Sequence, residues 1–299
     1  MRFNRHAIAD LASGQLSADL TMHDYLADQG FSELFRSHYL LPMAAAIWSS
    51  DLGDVERMPA LFFIRFFKNH GLLSVSQRPQ WYTLPGGSRT YIKPLTAGFA
   101  DAIRLNTPVT SVVEHAQGVD VHTAQGVESF DGVVLAGHTD QTHALLNDQH
   151  QTLKSLLLGI PYAENDVVLH TDAQQMPLNR RAWASWNYRI QQQPSGIGAV
   201  VTYDMNRLQN LSGPHQFFVT LNNTANIREE TILGQWRYAH PQFGPRSLSV
   251  QAAIDDCNRG QRMVVCGAWC RNGFHEDGVV SGEKAAMALS QHLGVACTL

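Results

Sequence analysis

The segment that most constrains the fold lies near the C-terminal end, where a strand, a glycine-containing loop and a long helix follow one another. Residues 262–266 are predicted to form a buried strand, because the four residues after Arg262 are apolar, and residues 267–274 are predicted to form a loop. A helix is predicted from about residue 276 to residue 293, where Gly294 stops it. The N–H groups of a helix's first turn attract electron-rich oxygens such as those of a phosphate or a flavin carbonyl. The segment therefore predicts either a ligand-binding loop and helix or an αβ unit whose small residues only serve packing.

The first hundred residues are predicted to be helical. Residues 60–69 (ALFFIRFFKN) are apolar on nearly every face except at Arg65 and Lys68, so this helix is expected to be deeply buried or to line an apolar cavity. Residues 32–41 predict another helix, which Pro42 is expected to bend or end.

The pattern changes to short β segments from residue 103 onward. Residues 103–106 (IRLN) are predicted to be the first of them, and Gly118 and Gly126 separate the following ones as in a β-meander. Further strands are predicted between residues 166 and 240, including the segment 182–188 (AWASWNY). The chain as a whole therefore predicts a mixed helix-and-sheet protein.

Composition excludes several classes of protein. The 299 residues are 44% hydrophobic and 16% charged, with a formal net charge of −4, which argues against disorder and against a polybasic nucleic-acid binder. The longest apolar run, residues 40–48, falls short of the roughly 20 residues of a membrane span, so no transmembrane segment is expected. Four cysteines are too few for a disulfide framework, and a cytoplasmic location is expected. The sequence leaves the oligomeric state open.

Five blocks of the sequence resemble one protein family. Residues 273–286 (GFHEDGVVSGEKAA) resemble the C-terminal flavin motif of the flavin-containing amine oxidases, in which a glycine and an aromatic residue precede a helix opening that ends in G-E-[RK]-A-A. Residues 108–138 resemble the FAD-domain meander of that family, and residues 81–95 resemble its P-G-G-[SM] turn and following helix. Residues 38–50 and 181–188 resemble a bacterial subgroup of predicted NAD/FAD-binding, amine-oxidase-like oxidoreductases.

The resemblance implies an α/β fold with an incomplete FAD-binding domain of amine-oxidase type and a substrate domain of helices and mixed sheet. The FAD domain is expected in residues 101–140 and 260–299, and the substrate domain in residues 1–100 and 141–259. The implied activity is that of an FAD-dependent oxidoreductase. Such an enzyme moves a hydride from a small-molecule substrate, either an amine or an apolar, lipid-like compound, to the flavin.

One motif of the family is not found in the sequence. Related proteins hold the FAD pyrophosphate on a G-x-G-x-x-G turn, and the nearest string here, residues 196–201 (GIGAVV), lacks the third glycine. The chain is therefore expected to correspond to the C-terminal two-thirds of such a protein and to bind FAD weakly or not at all by itself. The alternative is an inactive remnant, or a binding or structural protein that no longer holds FAD.

The resemblance also assigns cofactor-binding positions, residue by residue: Val109, Ala136, Gly137, Gly267, His275, Glu276, Asp277 and Gly278. Val109 corresponds to the valine whose backbone meets the adenine, and Gly267 to the glycine beside the ribityl chain. The acidic residue that often follows this glycine is replaced by Ala268 and Trp269. The carboxylates of Glu276 and Asp277 are expected to point away from the flavin, because a nearby anion would oppose its reduction.

Aromatic residues are the candidates for the catalytic wall. Phe274 corresponds to the aromatic residue that stands over the flavin in amine oxidases, and Trp236 or Tyr238 is expected as the second wall of this aromatic cage. A separate set at alternating positions could line a substrate pocket or belong to the core: Trp183, Trp186 and Tyr188.

A metal site is the remaining alternative for the C-terminal loop. Cys266, Cys270, His275 and Glu276 are residue types that bind metals, but their spacing is not that of a standard zinc site. Cys266 also ends an apolar strand. No metal is therefore expected.

Overall fold

The computed structural model describes residues 1–48, 50–74, 76, 80–193 and 196–297 of the chain. Its helices, in chain order, are α1 (Arg2–Ser13), α2 (Met22–Asp28), α3 (Glu33–Phe35), α4 (Leu41–Trp48), α5 (Leu52–Arg57), α6 (Ala60–Asn69), α7 (Ile92–Thr96), α8 (Thr139–Leu145), α9 (Gln151–Leu157), α10 (Met205–Gln209), α11 (Ser247–Asn258) and α12 (His275–Leu293). Its strands are β1 (Val109–His115), β2 (Gly118–Thr123), β3 (Gly126–Phe130), β4 (Val133–Leu135), β5 (Tyr162–His170), β6 (Trp186–Gln193), β7 (Gly196–Asp204), β8 (Phe218–Leu221), β9 (Ile232–Pro241) and β10 (Met263–Val265).

The chain divides into two units. The first comprises Met1–Ala102 and Ala163–His240, and the second comprises Ile103–Tyr162 and Pro241–Leu299. Helices account for 47% of the structure and strands for 22%, so the mixed fold class predicted from the sequence is confirmed. Within the described residues, no helix is both long enough and apolar enough to cross a membrane.

Aromatic side chains form the core of the first unit. The rings of Phe63 and Phe67 on α6 stack with their centroids 4.2 Å apart, and Phe3 of α1 meets both rings edge-on. Trp48 of α4 contacts Phe66, with 4.6 Å between the ring centroids. Helix α6 is therefore a buried core helix, and its phenylalanine rings pack against one another and against α1 and α4.

The first unit also contains a five-stranded sheet with the strand order β6-β7-β8-β5-β9. Three buried polar side chains form a chain of hydrogen bonds across its central strands. The hydroxyls of Thr202 and Thr220 lie 2.8 Å apart, and Nε2 of His170 lies 2.7 Å from Oγ1 of Thr220. The backbone N–H of Asp172 donates to Nδ1 of His170, so the proton of a neutral His170 is on Nε2. Burial lowers the pKa of His170 to about 4.

Two predictions about the secondary structure need correction. Of the two outcomes predicted at Pro42, a bend or an end of the helix, the end is wrong, because a π-helical turn at Arg36–Leu40 leads directly into α4. The wider turn bonds the N–H of Leu41 to the carbonyl of Arg36, and it accommodates a proline that has no N–H to donate. Residues 103–106 form a turn rather than a strand, since Asn106 has a left-handed backbone with φ of 55°.

The segment at residues 182–188 is a strand only from Trp186 onward. Trp183 lies before the strand, where its indole Nε1 donates to the carbonyl of Pro177 and its ring meets Phe218 edge-on. Trp183 is therefore held by packing and hydrogen bonding within the first unit. Trp186 and Tyr188 stay partly exposed.

The second unit contains an antiparallel meander and a separate parallel pair of strands. Strands β1, β2 and β3 form the meander, with Val112 opposite Val121 and Val121 opposite Glu128. Strands β10 and β4 form the parallel pair, and α12 packs against both. Behind β10 lies a small apolar cluster made of Val264, Cys266, Ala285 and Leu289.

Candidate functional site

The parallel pair brings together two segments that are more than a hundred residues apart in the sequence. Val133, Val134 and Leu135 lie opposite Met263, Val264 and Val265, respectively. Because the strands are parallel, both chains leave the sheet at the same edge. Gly137 follows β4 at this edge and Gly267 follows β10. In open α/β sheets, ligands bind in the crevice outside the carboxyl ends of the strands, so this edge is the candidate site.

The loop that follows β10 is anchored by two helices. The N–H of Gly267 donates to Oγ of Ser281 on α12 over 3.0 Å, and this hydroxyl lies 2.9 Å from the carbonyl of Gly267. Nε2 of Gln251 on α11 donates to the carbonyls of Trp269 and Arg271. The position of the loop is therefore fixed by side chains from elements on both sides of β10.

The side chain of Trp269 fills the space between the two glycines at the strand ends. The residue is only 1% exposed, and its Nε1 donates to the carbonyl of Gly137 over 3.2 Å. The indole also covers Gly267, where a Cβ atom would lie 2.4 Å from Nε1. Only glycine therefore tolerates the approach of this ring. The sequence showed a departure from the family pattern at Trp269, but its spacing gave no indication of where the ring lies.

The first turn of α12 is closed on one side by Asp277. Its Oδ2 accepts hydrogen bonds from the N–H groups of Phe274 (3.0 Å) and Asn272 (3.2 Å), and its Oδ1 lies 3.6 Å from Nε of Arg271. An acidic side chain at the third helical position that accepts from the residue before the helix is half of a capping box. The carboxylate of Asp277 is therefore turned back toward the loop, and Gly294 ends the helix in the left-handed conformation.

The other residues assigned to the helix opening are more accessible. His275 and Glu276 are exposed, and Phe274 is half-buried. The N–H of Gly278 donates to the carbonyl of Phe274, and a Cβ atom on Gly278 would have no neighbour closer than 3.9 Å. The opening of α12 thus presents backbone to the solvent at one face.

The remaining cofactor positions lie on strands of the same unit. Val109 begins β1, where it lies opposite Thr123 and is partly exposed. Ala136 is exposed directly after β4, and Gly137 is half-buried. Next to them, the ring of His138 stacks on Tyr162 with 4.0 Å between the centroids. All of the positions assigned to the cofactor therefore belong to the second unit, and their contact with a cofactor stays a prediction.

The surroundings of the two cysteines in the loop favour the protonated thiol. Burial raises the pKa of Cys270 to about 12 and also raises that of Cys266. Thiolates are the species that bind metals and act as nucleophiles. Within the described residues, no group of three or more His, Cys, Asp or Glu side chains is arranged to hold a metal ion.

Trp236 and Tyr238 belong to the first unit, on β9. Trp236 is 46% exposed, and its ring lies over Gly234, where a Cβ atom would be 2.3 Å away. Trp236 lines a surface groove of about 370 Å³ together with Asp166, Val167, Val168, Thr224, Gln235 and Arg237. Tyr238 is more exposed than Trp236. Of the two residues proposed for the second aromatic wall, Trp236 is the one that lines a groove, and the pairing of either with Phe274 stays a prediction.

The opening of α12 is compatible with FAD, whereas the crevice between Gly137 and Gly267 is not. The opening of α12 offers backbone N–H groups and an unobstructed Gly278, which suit the electron-rich edge of a flavin. Between Gly137 and Gly267, however, the indole of Trp269 occupies the crevice, and Ser281 already binds the N–H of Gly267. A ribityl chain can pass beside Gly267 only if the side chain of Trp269 turns away.

Comparison with known proteins yields no matching family model and no matching curated protein. Solved structures do match. Cyclohexylamine oxidase from Brevibacterium oxydans aligns with a TM-score of 0.63 at 13% identity, over 97% of this chain and 75% of that chain. Putrescine oxidase bound to putrescine aligns with a TM-score of 0.62 at 12% identity, over 98% of this chain and 74% of that one.

A third similar structure is a fatty acid isomerase from P. acnes, which produces CLA. It aligns with a TM-score of 0.59 at 13% identity, over 92% of this chain and 67% of that one. At such low identities these likenesses establish the fold alone. The chain has the fold of amine-oxidase-like, FAD-binding proteins.

Proposed function

We propose that the protein is a flavin-dependent oxidoreductase that takes electrons from a small-molecule substrate. The observation that carries this proposal is the edge formed by β4, β10 and the opening of α12, in a chain that aligns over nearly its whole length with amine oxidases. Parallel strands that end together beside a helix N-terminus are the usual place for a dinucleotide cofactor. FAD, when bound, supplies the redox chemistry by accepting a hydride equivalent from the substrate.

The residues of the second unit would divide the work of holding the cofactor. Val109 and the strand ends at Ala136, Gly137 and Gly267 would contact its nucleotide and ribityl parts. The first turn of α12, from His275 to Gly278, would direct its helix dipole at the flavin edge on which negative charge accumulates. Asp277 does not oppose this, because its carboxylate is bound by two backbone N–H groups of the loop and lies near Arg271.

Phe274 would form one aromatic wall of the substrate site, with Trp236 or Tyr238 as the other. Two chemical classes of substrate are compatible with this proposal. The amine oxidases favour an amine, whereas the fatty acid isomerase favours an apolar, lipid-like molecule. The phenylalanine-rich helix α6 gives no support to an apolar substrate, because its side chains pack against one another.

The experiment is a titration of the protein with FAD, followed by flavin fluorescence. Gly278→Val adds methyl groups at the opening of α12 and is expected to weaken binding about fivefold, which corresponds to about 1 kcal/mol. Gly282→Val is the matched control, because the same substitution one turn later meets no atom within 4 Å. Trp269→Ala is expected to bind FAD more tightly than the wild type, since the crevice is then open.

Reduction of the bound flavin by substrate gives the second measurement. Phe274→Ala is expected to keep its flavin and to slow reduction by cyclohexylamine, putrescine or a fatty acid, whichever of these the wild type accepts. If neither the wild type nor Trp269→Ala binds FAD, and the protein purified from its own cells also carries no flavin, the protein is not a flavoenzyme and the alternative of a binding or structural protein takes its place. If Gly278→Val and Gly282→Val bind FAD equally well, the opening of α12 does not face the flavin.

A further inference from the structure

Strand β9 forms one edge of the five-stranded sheet in the first unit. Its neighbour is β5, and no strand lies on its other side in the part of the chain that the structure describes. The N–H of Thr171 donates to the carbonyl of Thr231 at one end of the pair, and the N–H of Gln242 donates to the carbonyl of Pro161 at the other, so β5 and β9 run antiparallel. The outer edge of β9 therefore presents backbone N–H and C=O groups to any strand that can align with it.

The length and composition of β9 favour pairing with another strand. Natural edge strands are often short, or they carry a lysine or a proline that blocks pairing. Strand β9 has 10 residues and contains no lysine and no proline before Pro241, whereas a usual strand has about five or six residues. Its middle is apolar and accessible, since Leu233 is 56% exposed, Trp236 46% and Tyr238 54%. A long, exposed and apolar edge of this kind is a template for a further strand.

Strand β3, an outer strand of the meander in the second unit, shows the opposite arrangement. It has only 5 residues, and the carboxylate of Glu128 at its centre accepts a hydrogen bond from Arg104. Val127 on this strand is 54% exposed, which is close to the value for Leu233. An exposed apolar residue therefore lies on a short, charged edge in β3, whereas in β9 it lies on a long edge with few charges.

A second copy of β9 fits this edge by symmetry. A two-fold axis perpendicular to the sheet makes two identical edge strands antiparallel, as the rest of the sheet is. Residues opposite each other lie on the same face of a sheet, so the axis passes beside one residue that faces its own copy. Arg237 at that position would set two like charges opposite each other, which is destabilising. Registers centred on Gln235 or Trp236 avoid this, because Arg237 then faces Leu233 or Gln235 of the second copy.

Charge and surface area are both compatible with self-association of β9. Nε of Arg237 lies 3.4 Å from Oδ1 of Asp166, and its Nη1 lies 3.9 Å from Oε2 of Glu164, so carboxylates of β5 balance the positive charge on β9. The exposed parts of the side chains at residues 233–238 amount to roughly 1,000 Å² over two copies, which is the size at which specific interfaces begin.

We propose that two copies of the chain associate through β9, antiparallel about a two-fold axis, so that the two five-stranded sheets become one. A strand of the second copy would then lie beside Gln235, Trp236 and Arg237, which line the groove of about 370 Å³. The second copy would therefore contribute residues to the border of that groove. This inference goes beyond the proposed function and does not depend on a bound flavin.

The test is sedimentation equilibrium of the full chain at about 1–100 μM, the range in which a contact of this size is expected to associate. Leu233→Lys adds a positive charge near Arg237 of the second copy and removes an apolar contact, so it is expected to raise the dissociation constant of the dimer by at least about tenfold. Gln235→Lys is the second variant in case circular dichroism shows that Leu233→Lys does not fold. Val127→Lys is the matched control, because it places the same charge on a similarly exposed residue of another edge strand.

Cysteine crosslinking identifies the strand that makes the contact. Cys297→Ser first removes the exposed native thiol. In that background, Gln235→Cys or Trp236→Cys is expected to give a disulfide-linked dimer when a mild oxidant such as copper phenanthroline is added, whereas Val127→Cys is not. A monomer at all concentrations, a dimer that neither lysine on β9 weakens, equal weakening by Val127→Lys, or no crosslink from either position on β9 would overturn the inference.

Discussion

Helices α6 and α12 show two different uses of an apolar sequence. Helix α6 is apolar on nearly all sides, and its phenylalanine rings pack on one another and on α1 and α4. Helix α12 packs against β4 and β10 with small side chains, Ala285 among them, and leaves its opening turn accessible. The more hydrophobic helix is the structural one. The site is expected where small residues and an acidic cap allow backbone to approach a ligand.

The largest effect is expected from the core of the first unit. Phe63→Ala removes a fully buried ring that stacks on Phe67, and it should lower the free energy of unfolding by about 3–5 kcal/mol. Denaturant unfolding measures the loss. Arg65→Ala, at an exposed position of the same helix, is the control and should change stability by no more than about 0.5 kcal/mol. Equal losses in both variants would mean that α6 is not the core helix described above.

The next largest loss of stability is expected at the outer edge of β10, where the side chain of Asn258 bonds to the backbone of Val265. Asn258→Ala leaves the N–H and carbonyl of Val265 without partners in a buried place, which should cost about 2–4 kcal/mol for the two groups together. Asn258→Asp keeps the acceptor but places a buried carboxylate oxygen beside the carbonyl of Val265, so a loss at least as large as that of alanine is expected. Unfolding experiments on the three proteins test the order. If neither substitution changed the free energy of unfolding, the hydrogen bonds from Asn258 to the backbone of Val265 would not stabilise the sheet.

Local signals in the sequence predicted much of the secondary structure. Gly294 ends α12 in the left-handed conformation, as predicted from the sequence. Helix α6 has the predicted limits of residues 60–69. These features depend on neighbours within one turn, which a sequence displays directly.

One local feature and two features that depend on distant neighbours were missed. A π-helical turn leads into Pro42, where a helix end was one of the two predicted outcomes, and residue spacing does not reveal such a turn. The role of Trp269 depends on Gly137, which is 132 positions away in the sequence. The hydrogen bond from Asn258 to the carbonyl of Val265 likewise depends on where α11 ends beside β10. Motif comparison located the candidate site, but it did not show what fills the crevice.

Acidic pH should destabilise the first unit through His170. Burial lowers the pKa of this histidine from 6.5 to about 4, so the unfolded chain binds a proton that the folded chain rejects. Its contribution to stability is complete above pH 6.5 and is lost as the pH falls toward 4, by at most about 1.4 kcal/mol per pH unit. Between pH 6.5 and pH 5 the loss should reach about 1.6 kcal/mol.

His170→Gln provides the comparison for this pH dependence. Glutamine keeps an N–H donor for Thr220 and does not titrate, so the difference in stability between the two proteins should shrink as the pH falls. Unfolding curves at half-unit steps from pH 7 to pH 4.5 measure this. The hydrogen-bonded carboxylate of Asp172 has a lowered pKa and titrates below this range, so it does not obscure the effect. A constant difference across the range would show that folding does not lower the pKa of His170.

The smallest effect is expected at the opening of α12, where the structural and functional roles of an acidic residue can be separated. Asp277→Ala removes the acceptor for the N–H groups of Asn272 and Phe274 and should cost about 1 kcal/mol of stability. Asp277→Asn keeps an acceptor oxygen, so most of that stability should return, whereas Glu276→Gln at the exposed neighbour should be neutral. If Asp277 acts only as a cap, the flavin reduction potential of Asp277→Asn should equal that of the wild type. A shift of the potential in the asparagine variant would mean that the carboxylate faces the cofactor, and the helix opening would then contribute both its dipole and an opposing charge.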